Sequence, residues 1–225
     1  MIRSNIFLVA ICSILIIMSN YLVLLWVPTD SVLGLSQKIF YLHVPQGMLG
    51  LGGITIVMIG SVGYLWRRED YWDKLAYAAA EIGAVFITAA LVTGILWSKA
   101  VWGVWWTWAP QQTLTLILWF IYVAYLMVRA YSPTPSHGSR YGAILGIIGF
   151  VDAPIVYMAA KWWRDVHPEA VVGPLSESDS LDRSMYTVFL VSLISYGVLF
   201  AYLLVERYKL LRLNTVLEEI RYDEE

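Results

Sequence analysis

Residues 75–97 read LAYAAAEIGAVFITAALVTGILW and contain a single charged side chain, Glu81. A helix needs about 20 consecutive apolar residues to cross about 30 Å of hydrocarbon. Similar stretches recur five more times, and the loops between them hold most of the proline, glycine and charge. We predict six membrane-spanning helices, at Ile6–Val27, Pro45–Leu65, Leu75–Trp97, Thr113–Tyr131, Tyr141–Ala160 and Ser184–Val205.

The composition agrees with a membrane protein. Hydrophobic residues make up 59% of the chain and charged residues 14%, with a mean hydropathy of +0.65, whereas soluble domains carry about 25% charged residues. This excludes a soluble enzyme and a disordered chain, and a net charge of −2 leaves no basic surface for nucleic acid. The single cysteine, Cys12, excludes an internal disulfide. We therefore predict one all-α integral membrane bundle over residues 1–225.

The positive charges predict how the bundle is oriented. Ten of the 15 Lys and Arg residues lie in the N-terminus, the second and fourth loops and the C-terminal tail. Because cytoplasmic loops carry the excess of positive charge, we expect both termini inside, in the inner (plasma) membrane. Residues 206–225 are expected to form a cytoplasmic amphipathic tail, since Leu210, Leu213, Leu217 and Ile220 recur at helical spacing.

Tryptophans concentrate on the predicted outer side, which holds eight of the eleven. Four of them fall within residues 102–108, WGVWWTW, in the third loop, and Trp162 and Trp163 form a pair in the fifth. An interfacial aromatic belt explains one or two tryptophans per helix end, at both faces alike. It does not explain four within seven residues on one side.

Two of the three histidines, His43 and His167, share that predicted side, and each lies close to a proline. Proline suits the first turn of a helix, so we expect the second helix to begin at Pro45 and to leave His43 at the outer lip of the bundle. His137 falls in an inner loop and is expected to be an ordinary exposed residue.

Paired imidazoles beside an aromatic cluster indicate haem, bound without a covalent link in the b-type manner. Neutral imidazole is a good iron ligand, indole faces stack on flat macrocycles, and two histidines are too few for a zinc site. We predict His43 and His167 as axial ligands. The predicted stacking residues are Trp102, Gly103, Trp105, Trp106 and Trp108, and the predicted contacts to the propionates are Trp162, Trp163, Arg164 and Lys99.

Three motifs resemble the haem-handling family of cytochrome c maturation, and in particular its six-span haem exporter protein C branch. The family signature W-G-x-W-W-x-W-D-x-R-L-T is similar to residues 102–113, WGVWWTWAPQQT, in which Ala109 and Gln111 replace the Asp and the Arg. Residues 40–45 (FYLHVP) and 162–168 (WWRDVHP) also match. The resemblance implies a non-enzymatic protein that binds haem at the outer face and delivers it to a haem chaperone for c-type cytochromes. It also implies ABC-transporter-type subunits as partners.

Two other classes remain as alternatives. A b-type haem anchor of a respiratory oxidoreductase also uses paired histidines, but it places them within spanning helices and has no use for clustered tryptophans in a loop. A secondary transporter predicts an internal repeat, and the two halves of the chain show none.

Two carboxylic residues, Glu81 and Asp152, fall inside predicted spans. Because we expect no Lys or Arg at matching depth, we interpret both as uncharged carboxyls hydrogen-bonded to neighbouring helices. Asp152 is also expected to satisfy backbone groups freed by Pro154. A proton or haem path through the bundle is the alternative interpretation.

Overall fold

A computed structural model describes residues 2–163 and 181–224. These residues form six long helices: α1 (Ile2–Tyr21), α2 (Phe40–Arg67), α3 (Asp70–Trp102), α4 (Pro110–Tyr131), α5 (Pro135–Trp163) and α6 (Arg183–Glu224). A π-helical turn (Leu22–Trp26) and a 3₁₀ helix (Leu35–Ile39) lie between α1 and α2. Each long helix includes a span that is long and apolar enough to cross a membrane. The predicted all-α bundle of six membrane-spanning helices is confirmed.

The beginning of α2 differs from the prediction. The helix begins at Phe40, directly after the 3₁₀ segment, so Pro45 lies inside it and His43 is a helical residue. Pro45 lies in the second turn, where its missing N–H removes the hydrogen bond to the Tyr41 carbonyl and its ring crowds that carbonyl. The expectation that His43 lies in a loop ahead of the helix is therefore wrong.

The connection between α3 and α4, residues 103–109, is called the tryptophan loop below. At its start, Gly103 adopts φ +76° and donates its N–H to the Lys99 carbonyl at 3.2 Å, which ends α3 in the left-handed conformation. At its end, Pro110 is the first residue of α4. Because α3 runs to Trp102, Lys99 and Trp102 are helical rather than loop residues.

Helices α2 and α3 pack closely, and α4 covers the contact between them. A Cβ on Gly53 would lie 2.9 Å from the Cα of Gly83, so glycine allows the two backbones to meet. The Tyr122 side chain of α4 is fully buried, and its hydroxyl donates to the Gly50 carbonyl at 2.8 Å. This antiparallel packing brings the beginnings of α2 and α4 beside the end of α3.

Helix α5 runs antiparallel to α2 and α4. Gly142 faces Arg129 near the end of α4, whereas Gly149 faces Ile54 in the middle of α2. The end of α5, with Trp162 and Trp163, therefore lies at the same end of the bundle as the tryptophan loop. His137 lies in the first turn of α5, at the opposite end, and its Nδ1 is 2.8 Å from the Thr134 hydroxyl. It is exposed as expected, although it is helical.

Helix α6 continues without a break to Glu224. Its 42 residues span about 60 Å, twice the hydrocarbon thickness. Residues 206–224 of the predicted amphipathic tail are therefore the continuation of α6. Leu210 and Leu213 are each about half exposed on this extension.

The two carboxylic residues inside the spans have different surroundings. Glu81 forms a bidentate ion pair with Arg207 of α6, so its interpretation as an uncharged carboxyl without a facing cation is wrong. The continuous α6 keeps Arg207 at the depth of Glu81. Asp152 is 9% exposed, and its Oδ2 has no hydrogen-bond partner within the described ranges.

Arg207 lies at the end of the bundle opposite the tryptophan loop. This end is called the arginine end below, and its polar residues are Asp73, Glu81, Arg129, Ser139 and Arg207. Arg129 makes two hydrogen bonds to the Asp73 carboxylate, at 2.5 and 2.7 Å, and one to the Ser139 hydroxyl at 2.7 Å. The guanidinium groups of Arg129 and Arg207 lie 4.7 and 6.0 Å from the Tyr77 ring. These contacts connect α3 to α4, α5 and α6.

Candidate functional site

His43 is fixed in the bundle by its Nδ1 atom. This atom lies 2.9 Å from the carbonyl oxygen of Ala90 and 3.1 Å from the Thr93 hydroxyl, both on α3. A carbonyl oxygen only accepts hydrogen bonds, so Nδ1 carries the proton. In the neutral ring the lone pair is then on Nε2. Most metal-binding histidines in proteins are oriented in this way, by a hydrogen bond from the ring nitrogen that does not bind the metal.

The close approach of His43 to α3 depends on Gly94. A Cβ at this position would lie 2.9 Å from Cε1 of the imidazole. Any larger residue would push the ring away from its carbonyl partner. Gly94 is therefore part of the site, although it carries no functional group.

His43 lines a cavity of about 50 Å³ between the beginnings of α2 and α4 and the end of α3. Three indoles, those of Trp97, Trp102 and Trp106, line it on the side of the tryptophan loop. Trp97 and Trp102 pack edge to face with their centroids 5.0 Å apart. The imidazole thus lies beneath an aromatic cover.

Two residues that line this cavity each carry a buried polar atom that has no protein partner in the described part of the chain. These atoms are Nε1 of Trp106, a donor, and Oε1 of Gln111, an acceptor. A buried polar group without a partner costs about 1–3 kcal/mol. Such groups indicate a place where water or a ligand supplies the missing hydrogen bonds.

Hydrogen bonds hold the tryptophan loop over the cavity. Oε1 of Gln112 accepts from the Thr107 backbone N–H at 3.1 Å and from the Thr107 hydroxyl at 2.6 Å. The Ser98 hydroxyl donates to the Val104 carbonyl at 2.8 Å. Trp108, at the end of the loop, adopts a left-handed conformation with φ +58°. The loop is folded onto the helices rather than extended away from them.

The predicted stacking residues divide into two groups. Trp102 and Trp106 line the cavity, whereas Trp105 and Trp108 are 56% and 72% exposed on the outside of the loop. Gly103 supplies the turn at the end of α3. The loop therefore presents indole faces both to His43 and to its surroundings.

The structure describes only some of the residues predicted to contact the propionates. Lys99 donates to the Gly103 carbonyl at 2.7 Å, and its ammonium lies 5.5 Å from the Trp105 ring centre. Trp162 and Trp163 are each more than half exposed at the end of α5. His167 and Arg164 lie outside the described residues.

Sequence reasoning missed several residues of the cavity: Gly94, Trp97 as a lining residue, Gln112 and Thr115. Gln111 and Gln112 lie in the same motif as the tryptophans, so this uncharged polar pair could have indicated further cavity residues. The contact of Gly94 with His43 had no signal in the sequence, because it depends on how α2 packs on α3.

The fold and the site define a multi-pass membrane protein that holds an imidazole beneath a tryptophan-rich loop. A family model described as heme exporter protein C matches residues 2–221. The chain belongs to the heme exporter protein C family.

Individual relatives agree. The chain is 35% identical over 173 residues to heme exporter protein C of Bradyrhizobium diazoefficiens, an alignment that covers 77% of this chain and 65% of the relative. It is 34% identical over 182 residues to heme exporter protein C of Escherichia coli K12, covering 80% and 72%. A cytochrome c biosynthesis ccmC-like mitochondrial protein of Marchantia polymorpha is 30% identical over 184 residues, covering 82% and 78%. The chain thus spans a little under two thirds of the first of these relatives.

Proposed function

We propose that this protein binds haem at the tryptophan end of its bundle and delivers it for the biogenesis of c-type cytochromes. Haem is its cargo, held without a covalent link, and the protein itself breaks and forms no bond. Membership of the heme exporter protein C family supports the haem-handling role. We further propose that the tryptophan loop faces the extracytoplasmic side of the inner membrane, where a haem chaperone receives the cargo. ABC-transporter-type subunits would be its other partners.

The observation that carries the proposal is the hydrogen bond from His43 Nδ1–H to the Ala90 carbonyl. It places the lone pair of the neutral ring on Nε2, the nitrogen that would bind iron, in a cavity that Trp102 and Trp106 also line. We propose His43 as one axial ligand and His167 as the other. The exposed indoles of Trp105 and Trp108 would stack on the macrocycle. Trp162, Trp163, Arg164 and Lys99 remain the proposed contacts to its edge.

The b-type anchor of a respiratory complex is not favoured. The helical position of His43 does not separate the two classes, because such anchors also place histidines within spanning helices. The tryptophan loop and the family match favour the delivery role.

Two histidine variants test the ligand assignment. His43→Ala should lose the low-spin bis-imidazole absorption spectrum of the full chain purified with haem, while the protein remains folded and inserted in the membrane. His137→Ala is the matched control, because His137 lies at the other end of the bundle and should leave the spectrum unchanged. Full haem retention in His43→Ala would show that this residue is not a ligand.

A deletion in the host tests the delivery role. Loss of the protein should abolish all c-type cytochromes together, whereas loss of a respiratory anchor would remove a single complex. Normal c-type cytochromes in the deletion strain would contradict delivery even if haem binding were confirmed.

A further inference from the structure

The space beside His43 is much smaller than the proposed cargo. Its volume is about 50 Å³, whereas sites for small molecules and cofactors measure about 300–1,000 Å³. A space of this size holds a few water molecules. The cavity therefore cannot hold a macrocycle while Trp106 of the tryptophan loop occupies its place beside Trp97 and Trp102 of α3.

The tryptophan loop is the part of the cavity wall that lies outside the helices. The other walls are helices α2, α3 and α4, which are packed against one another along their length, whereas the loop is a seven-residue connection between Trp102 and Pro110. Its glycine at position 103 has φ +76° and a Cβ there would meet nothing within 4 Å, so open space surrounds the turn.

One side chain ties the middle of the loop to a helix. Gln112, in the first turn of α4, accepts two hydrogen bonds from Thr107 through a single oxygen, at 3.1 and 2.6 Å. Thr107 lies between Trp106 and Trp108, whose rings are 5.8 Å apart, so movement of Thr107 moves both indoles. The Thr107 hydroxyl also accepts from the Ala109 N–H at 3.3 Å.

We infer that Gln112 is a positioning residue that holds the tryptophan loop closed over His43, and that its bonds to Thr107 break when cargo enters or leaves. This inference rests on the proposed function. Opening exposes His43 together with the buried Nε1 of Trp106 and Oε1 of Gln111, and their lack of partners among the described residues disfavours the closed arrangement. Gln112 thus sets the rate at which cargo is exchanged, and it does not touch the iron.

The test measures haem exchange on the full chain in lipid nanodiscs, with haemin as the probe and apomyoglobin as the acceptor. Gln112→Leu removes both hydrogen bonds, and it should raise the rates of loading and release roughly tenfold each. The absorption spectrum of the loaded protein should stay the same. Gln112→Glu keeps an oxygen acceptor for Thr107 and should therefore exchange haemin more slowly than Gln112→Leu does. Thr55→Val removes a hydroxyl bonded within α2, far from the loop, and controls for general destabilisation.

Amide exchange provides a readout that does not need haem. The Thr107 N–H is itself a donor in the closed loop, so Gln112→Leu should speed its exchange about tenfold. If Gln112→Leu does not fold, Thr107→Val removes the shorter hydrogen bond and should speed both haem rates by a smaller factor, with Thr107→Ser as its rescue.

Unchanged or slower haemin loading, or unchanged exchange at Thr107, would overturn the inference. These outcomes differ from failure of the proposed function. If the unmodified protein binds no haemin, or if His43→Ala binds it equally well, the ligand assignment falls and the role of Gln112 falls with it. If His43 proves necessary but Gln112→Leu exchanges haemin at the normal rate, only the inference about the loop is wrong.

Discussion

The two ends of the bundle differ in whether their buried polar groups have hydrogen-bond partners among the described residues. At the arginine end, Asp73, Arg129 and Ser139 bond to one another, and Glu81 pairs with Arg207. At the tryptophan end, a donor of Trp106 and an acceptor of Gln111 are buried without a protein partner in the described structure. Paired charges stabilise a fixed arrangement, whereas unpaired polar atoms beside a cavity are available to a ligand.

The difference teaches where stability and function reside in this fold. The arginine end connects four of the six described helices through two ion pairs, of which Asp73–Arg129 is buried and Glu81–Arg207 is partly exposed. Among the described residues, no Asp, Glu, Lys or Arg lines the cavity of the tryptophan end, and a short loop covers this cavity. Changes at the first end should therefore affect unfolding, and changes at the second should affect haem.

The largest effect is expected from breaking the ion pair between Asp73 and Arg129, whose side chains are each 10% exposed. Asp73→Ala leaves a buried guanidinium without its partner, which should cost about 3–5 kcal/mol of unfolding free energy. Thermal unfolding in one detergent measures this loss. The double variant Asp73→Leu with Arg129→Met should recover much of the stability, because no unpaired charge remains. A loss of less than about 1 kcal/mol in Asp73→Ala would show that the pair does not hold this end together.

Much of the fold could be predicted from the sequence, because hydrocarbon thickness sets the length of each apolar stretch. The residues at which helices begin and end were harder to predict. Proline is best tolerated in the first turn of a helix, so the sequence predicted that α2 begins at Pro45, whereas the helix begins five residues earlier. Likewise, the leucine spacing after Val205 predicted an amphipathic tail but not that it continues the last span. The unbroken α6 instead carries Arg207 to Glu81.

The site could be predicted only in part. His43 and the tryptophan motif stood out by residue type, and His43, Trp102 and Trp106 do line one cavity. The partner of His43 is a backbone carbonyl of Ala90, which has no sequence signature. Which indoles face inwards depends on the path of the loop between Gly103 and Pro110, and this path follows from three-dimensional packing rather than from spacing.

A second prediction concerns the tryptophan end, where Gly94 allows the approach of His43. Gly94→Ala places a Cβ 2.9 Å from the imidazole and should displace the ring from the Ala90 carbonyl. Loss of such an orienting bond typically weakens metal binding 10–100-fold, so haemin affinity should fall roughly tenfold or more. Gly52→Ala is the matched control, since a Cβ there meets nothing within 4 Å. Equal haemin affinities in the two variants would mean that the placement of His43 does not matter for binding.

The smallest effect should come from single indole donors, and its sign should differ between two tryptophans. Nε1 of Trp119 donates to the Thr88 hydroxyl at 2.8 Å, whereas Nε1 of Trp106 has no partner in the described structure. Trp119→Phe should therefore lose about 1 kcal/mol of stability without changing haemin affinity. Trp106→Phe keeps an aromatic ring but removes a buried donor that is unsatisfied, so it should leave the haem-free protein as stable or more stable and reduce haemin affinity several-fold. Chemical unfolding and haemin titration of both variants measure the two quantities. If Trp106→Phe lost stability and kept its haemin affinity, the donor would serve the fold, and the proposed contrast between the two ends would not hold at this residue.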